Sequence, residues 1–325
     1  MTTPDPSAAR NPCISCGGDA WRHPFVARNF QGQSFRYVSC ASCGLVELDR
    51  GVDTAGAGEV YEEAYYGEGP SKFADRIQSV RQRHAQKKAA RISSLCPGQP
   101  GRLFDVGCGD GLFMEAMLKR GWSVDANEVG PAALARAQKL TSTKLGRGDL
   151  LDIVVAEGSY DVVTIWQVLE HVTRPAETLQ KAFRMLKPGG LLTVSVPNAG
   201  SWQARLFGSQ WFHMDPPHHV HLFTPDNLSA LLNRHGFNPF LFVGNPLEFG
   251  PFGYVQSFMN MMGLRKDSFF ELLKSKALTD RRLSVHQWMM MGLAGILTPP
   301  SVLLALMESP SRCSGTFEMY AKAKR

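Results

Sequence analysis

The run Asp105-Val-Gly107-Cys-Gly109-Asp-Gly111 lies directly after the strand-like Leu103-Phe-Asp-Val106 and directly before the helix-like stretch 112–120. Glycines at such a junction let the backbone turn sharply and lie against a ligand. The helix N-terminus behind them favours negative charge. The spacing is G-x-G-x-G, and Leu112 stands where a dinucleotide fingerprint wants its third glycine. Asp105 puts an acid beside the loop, a poor neighbour for pyrophosphate and a good one for an ammonium group. Asn127-Glu128 closes the next strand-like run, where a carboxylate can accept hydrogen bonds from both hydroxyls of a ribose.

The texture on both sides extends this unit. Strand-like runs at 123–126, 160–165, 191–196 and 237–243 alternate with helix-like runs at 132–140, 176–186 and 224–235. That rhythm predicts an α/β, doubly wound parallel sheet over 101–244. Residues 245–312 break it with methionines, aromatics and an uncharged segment from Trp288 to Met307, and strand texture returns in 313–325. We read 245–312 as an apolar helical insertion before the last strand. Two consecutive prolines, Pro299 and Pro300, should divide the uncharged segment into shorter arms and so argue against a membrane span. A lid over the active site and a shallow peripheral membrane contact through 285–308 remain.

Cys13-Ile-Ser-Cys16-Gly17 and Cys40-Ala-Ser-Cys43-Gly44 are two Cys-x-x-Cys turns. Two residues between thiols let one tight turn present both sulfurs to a single ion, and two such turns complete a tetrahedral four-sulfur site of the kind zinc prefers. Four thiolates leave no open coordination position, so this Zn2+ would be structural. The first ten residues contain an acid and no apolar run, and paired cysteines without an export signal read as metal ligands before disulfides. The expectation is a reduced, cytoplasmic protein, peripheral at the inner face of the membrane if 285–308 touches lipid, with a zinc ribbon over 1–50. A linker and a basic amphipathic helix should fill 51–100, with Phe73, Ile77, Val80, His84, Ile92 and Leu95 as its apolar stripe. The excess of cations is modest, 35 Lys+Arg against 29 Asp+Glu, and the span 13–43 contains only Arg22, Arg28 and Arg36 as cations. A nucleic-acid acceptor is therefore disfavoured.

Asp105–Gly111, Glu128, Gly148-Asp149, the run Tyr160–Val172 containing Gln167 and Glu170-His171, and Leu186-Lys-Pro-Gly-Gly-Leu191 together resemble class I S-adenosylmethionine-dependent methyltransferases. The cysteine pairs ahead of them resemble a zinc-ribbon subset of these enzymes, several acting on sugars. The resemblance implies a Rossmann-like methyltransferase sheet and S-adenosyl-L-methionine as cofactor. Gly107, Gly109 and Gly111 would take its methionine end with Asp105 beside them, Glu128 its ribose and Asp149 its adenine. Gln167, where many relatives have His, would lie near the methionine part.

Four of the nine histidines, His213, His218, His219 and His221, fall within nine residues just after the strand ending at Pro197. In a doubly wound sheet that is the edge where ligands bind. A hydroxyl acceptor must lose a proton as it is methylated, and histidine titrates in the useful range. His219 is the first candidate base, His213 the second, and His171 the third; a packing loop and a metal site are the other readings of this segment. The expected reaction is O-methylation of a sugar, glycan precursor or other small hydroxylated acceptor, free or lipid-linked. A quinone-type phenol and an RNA are the alternatives.

Overall fold

The computed structural model describes residues 11–49, 75–140, 145–275, 283–308 and 312–324. Phe73, expected in the apolar stripe of the basic helix, lies outside them. The large sheet is built from β4 (Arg102–Val106), β5 (Ser123–Glu128), β6 (Gly146–Arg147), β7 (Tyr160–Trp166), β8 (Leu186–Pro197), β10 (Phe237–Gly244) and β11 (Thr316–Ala323). Its order is β10-β11-β8-β7-β4-β5-β6, and β11 runs antiparallel to both β8 and β10 while the pairs from β8 to β6 are parallel. The strands of 101–244 thus run parallel as expected, and β11, whose direction the sequence left open, is the reversed one. β11 arrives from the insertion and slots between two strands already laid down.

Helices α1 (Asp75–Leu95), α2 (Leu112–Leu118), α3 (Pro131–Leu140), α4 (Pro175–Met185), α5 (Trp202–Phe207) and α6 (Pro225–Arg234) accompany these strands. Their starts carry local reasons. Gly111 caps α2 in the left-handed conformation that glycine tolerates, and Thr224 and Asn227 exchange the reciprocal bonds of a capping box ahead of α6. The strand faces are nearly continuous apolar runs, buried on both sides. One side holds Phe104, Ile165, Val194 and Phe317; the other holds Leu103, Val124, Val162 and Tyr320.

The basic helix departs from its expected stripe. Ala85, Ala89 and Ile92 are its buried apolar positions, Val80 is 49% exposed, and Lys88 is buried. Its cations are only in part a solvated face: Arg83 and Lys87 are exposed, while three others each meet an acid from elsewhere in the chain. Arg81 pairs with Asp110 of the glycine loop, Lys88 with Glu248 at 2.6 Å, and Arg91 with Glu318 of β11 at 2.6 Å. These partners lie 29 to 227 positions away in sequence, so helical periodicity alone does not show them.

The insertion forms α7 (Gly250–Met261), α8 (Ser268–Lys274) and α9 (Val285–Glu308) between β10 and β11. Pro299 and Pro300 do not divide the last of these; α9 is one helix of 24 residues. The Thr298 hydroxyl, donating to the Ala294 carbonyl at 2.7 Å, supplies one bond across that turn.

The cysteine-bearing segment makes a second sheet from β1 (Trp21–Arg28), β2 (Ser34–Cys40), β3 (Val46–Leu48) and β9 (His221–Leu222), antiparallel throughout. Its last strand belongs to the histidine-rich segment. Leu48 also donates to the Val220 carbonyl at 2.8 Å, and Cys13, Cys40 and Leu45 pack into the main core.

Glu318 is buried and accepts from Arg91, from the Asn245 amide at 2.7 Å and from the Tyr320 hydroxyl. Glu318→Ala would leave three donors without their acceptor. We expect a loss of about 3 kcal/mol, read as a lower urea midpoint at unchanged slope.

Candidate active site

The carboxyl ends of β4, β5 and β7 open into one cleft of about 2100 Å³. Every residue expected to touch a cofactor lies along or beside it. Gly107, Gly109 and Gly111 have φ of 66°, 58° and 81°. Their reasons differ. A Cβ at Gly107 would meet Val168 at 2.6 Å and one at Gly111 would meet Ala137 of α3 at 3.1 Å, whereas one at Gly109 would point into open space. Gly109 is therefore the position where the backbone is left bare toward the cleft.

Glu128, at the end of β5, is buried and receives the Gly109 amide at 2.7 Å and the Gly130 amide at 2.8 Å. Its carboxylate holds the glycine loop in shape, and each oxygen keeps a lone pair for a further donor. Asp105 is buried, and the Thr164 hydroxyl donates to it at 2.7 Å. Burial raises its carboxyl to about 7 against the lowering by Thr164, with nearby Glu128 adding to the rise. A cation seated beside it would restore its charge. Asp149 caps the short helical turn 150–152 by accepting from Leu151 at 2.7 Å and borders the cleft. Gln167 adopts a left-handed φ of 53° and turns its amide to the Ser195 hydroxyl at 2.9 Å, leaving its carbonyl oxygen for other partners.

The histidines gather at the far side of the same cleft. The Tyr37 hydroxyl of β2 donates to the His219 carbonyl at 3.0 Å, and Val220 and His221 both donate to the Glu170 carbonyl. The loop after β7, the histidine segment and the cysteine-bearing sheet are stitched together here. His219 Nδ1 donates to the His213 carbonyl at 2.7 Å, which fixes the tautomer and leaves Nε2 as the basic nitrogen. His171 Nδ1 donates to the His218 carbonyl at 3.0 Å, and the His171 and His219 rings meet edge to face at 4.6 Å. Burial lowers both imidazoles below their ordinary range, and Asp215 opposes that. Asp215 itself is disfavoured as an anion by burial. The His218 hydrogen bond and the ring of imidazoles outweigh that and hold it well below the usual carboxylate range.

His213 is placed differently from the expectation of a second base. Its Nε2 is enclosed without a hydrogen-bond partner, and burial, reinforced by His219, pushes the ring down to about 3. It packs edge to face on Trp211 and Phe249, which makes it part of the wall. His221 lies opposite Glu47 in the β3–β9 pair, away from the cleft. Glu170, 1% exposed, has neither carboxylate oxygen hydrogen-bonded, and burial raises it to about 8. Together with His171 and His219 it offers donor atoms all within 4.8 Å of one another, close enough to share a small cation.

Several cleft residues carried no signal in the sequence. Phe249, Phe252, Phe269 and Phe270 of the insertion line the cleft, together with Phe212 beside His213. Lys88 reaches over the Trp166 ring at 4.8 Å. Phe249, Phe252, Phe269 and Phe270 come from a segment with no motif, where only the aromatic content of 245–275 hinted at them.

At the other end of the cysteine-bearing sheet, Cys13 and Cys43 Sγ lie 3.5 Å apart, as do Cys16 and Cys40, and all four fall within 4.8 Å of one another. A tetrahedral zinc with bonds of about 2.3 Å needs sulfurs about 3.8 Å apart, so the donor set fits. Gly17 and Gly44 take φ of 79° and 73°, and the Gly18 amide points at Cys16 Sγ at 3.4 Å.

Residues 77–240 match the family model described as "Methyltransferase domain". The ubiquinone biosynthesis O-methyltransferase of Cereibacter sphaeroides (strain ATCC 17025 / ATH 2.4.3) is 30% identical over 175 residues, covering 50% of this chain and 71% of that protein. The enzyme of the same name from Pseudomonas aeruginosa (strain LESB58) is 33% identical over 162 residues, 45% of this chain and 69% of that protein. A putative sarcosine dimethylglycine methyltransferase from Galdieria sulphuraria shares the fold, with a TM-score of 0.52 at 14% identity, over 82% of this chain and 98% of that one. The fold and the cleft define an α/β group-transfer enzyme. The chain belongs to the S-adenosylmethionine-dependent methyltransferases.

Proposed function

We propose that this methyltransferase acts on a hydroxyl oxygen of an acceptor with an aromatic or apolar body, with His219 as the base, and that its four cysteines hold one structural zinc. The observation that carries the acceptor class is the phenylalanine wall, with Phe212, Phe249, Phe252, Phe269 and Phe270 lining the cleft that also contains His219. Aromatic walls hold planar or prenylated groups by area and edge contacts, and a sugar would leave its hydroxyls unpaired there. This puts the quinone-type phenol ahead of the sugar or glycan precursor expected first from sequence. Two relatives named for O-methylation in ubiquinone biosynthesis support the same order. An RNA acceptor loses ground, because Arg81, Lys88 and Arg91 of the basic helix are engaged with acids. The reduced four-thiol cluster keeps the cytoplasm as the proposed compartment.

S-adenosylmethionine, when bound, supplies a sulfonium-activated methyl whose carbon–sulfur bond breaks as the acceptor oxygen bonds to carbon. The chain's part is to hold, align and deprotonate. Asp105 would take the ammonium group, the bare backbone at Gly109 the methionine end, Glu128 the ribose and Asp149 the adenine. Gln167 would sit beside the methionine part with its carbonyl oxygen. His219 Nε2 would accept the acceptor's hydroxyl proton, with the His213 carbonyl holding the ring in the tautomer that allows it.

Glu128→Ala should weaken cofactor binding by about 1–3 kcal/mol, and Gly109→Arg, which fills the open space beside the loop, should abolish it. Isothermal titration showing unchanged affinity in both variants would remove these assignments. Elemental analysis should find one zinc per chain. Cys13→Ser/Cys40→Ser should lose it and lower thermal stability, because site assembly and folding are coupled. Zinc retained by that variant would end the zinc reading.

His219→Ala should leave cofactor affinity intact and lower turnover by about 10²–10⁴ on a catechol or quinol acceptor, followed by mass spectrometry as a gain of one methylene. The pH profile gives the sign. A base must be neutral, and burial holds His219 below its ordinary value. Turnover should therefore be flat through neutral pH and fall only on acidification, on a limb lower than the rise from about 5.5 to 7.5 that an unperturbed histidine implies. Unchanged turnover in His219→Ala would exclude it as the base. Loss of turnover on chelation with the zinc cluster intact would turn attention to a cation shared with Glu170 and His171.

A further inference from the structure

Helix α9 reverses the usual arrangement of a helix at a protein surface. From Val285 to Met307 it contains no Asp, Glu, Lys or Arg. Its single acid, Glu308, is buried and accepts the Tyr254 hydroxyl at 2.9 Å, and the Ser301 side chain is buried with it. Met290, Ala294 and Ala305 complete the stripe that packs inward, next to α7 and α8. On the outward side Val285, Trp288, Met289, Ile296, Leu303 and Met307 are each more than half exposed. Their spacing of three, four, seven and eleven residues sets them along one side of a rod about 36 Å long. By length and composition it is apolar enough to cross a membrane, yet its inner stripe is committed to the protein.

The geometry points to a lipid bilayer with anionic headgroups as the partner of this face, with α9 lying in the plane of the interface. Three observations select that occupant over a second copy of the chain. Pro299 and Pro300 have no N–H, so the carbonyls of the exposed residues Gly295 and Ile296 lose the donor four residues on. Hydrated headgroups serve such oxygens, while a dry protein interface or the hydrocarbon core does not. Trp288, 61% exposed near one end of the face, is the residue type that settles at the boundary between headgroups and acyl chains. In sequence, the chain entering the helix carries Lys276, Arg281 and Arg282 against Asp280, a cationic approach to an uncharged rod, the charge pattern of helices that lie on anionic lipid.

The position also has a use. The same insertion gives α7 and α8 their phenylalanines on the cleft wall. An acceptor with a lipid tail would pass from the bilayer to His219 along one continuous apolar element. This deepens the acceptor class proposed above, but the docking itself does not depend on it.

The test is flotation of the full-length, zinc-loaded protein with vesicles of phosphatidylcholine containing 30% phosphatidylglycerol, and with phosphatidylcholine alone. We expect the wild type to float with the anionic vesicles and less with the neutral ones. Ile296→Asp/Leu303→Asp should reduce the bound fraction at least tenfold while keeping its circular dichroism and its affinity for S-adenosylmethionine. Failure of the wild type to float, or equal flotation of wild type and variant, would overturn the inference. So would a wild-type dimer in sedimentation velocity that the same variant dissociates, with no vesicle binding. Wild-type flotation without methylation of any phenolic acceptor would leave the docking in place and remove only the acceptor class.

Discussion

The short pairing of β3 with β9 is the contact on which the acceptor side of the molecule rests. Val46 opposite Leu222 and Glu47 opposite His221 are few bonds, yet they hold the only regular secondary structure in the segment between Trp211 and Phe223. The Tyr37 hydroxyl on the His219 carbonyl and the Glu170 carbonyl beneath Val220 and His221 fasten that segment from two further sides. A loop rich in histidine has no apolar periodicity to fix it. Here its conformation is imposed by neighbours that are themselves well packed, and His219 inherits its orientation from them.

Charge is handled in the same manner, by long-range partners. Arg81, Lys88 and Arg91 each reach an acid in a different layer, so α1 is tied to the glycine loop, to the chain ahead of α7 and to β11. The cleft is therefore closed along one side by ion pairs as well as by packing. Lys88, buried at its pair with Glu248 and stacked on Trp166, is costly to leave unpaired, and that cost keeps the helix seated over the cofactor side.

Legibility in the sequence followed the range of the interactions. The strand-loop-helix at 102–118, the alternation to 244 and the insertion before β11 are written in local periodicity and turn residues, and they appear where expected. The Cys-x-x-Cys turns are local too, and their four sulfurs meet. What could not be read depends on contacts distant in the chain. The two-residue β9, the reversed direction of β11, the paired cations of α1 and the phenylalanine wall all have partners supplied by another segment. Pro299 and Pro300 misled for a different reason: a double proline removes two helical bonds, but the flanking turns and the packed stripe of Met290, Ala294 and Ala305 keep α9 continuous through it. The sequence ranks His219 ahead of His213 but gives no sign that the Nε2 of His213 is enclosed without a partner.

Because β9 completes a sheet begun by the first fifty residues, the cysteine-bearing segment is not a detachable module. A recombination event that exchanged it for the corresponding piece of another enzyme would also remove Tyr37, Glu47 and Leu48, the residues that shape the histidine loop. The two segments, separated by about 170 positions, must therefore diverge in step. In a lineage that changed its acceptor, compensating changes would accumulate in β2 and β3 before they appeared in the glycine loop.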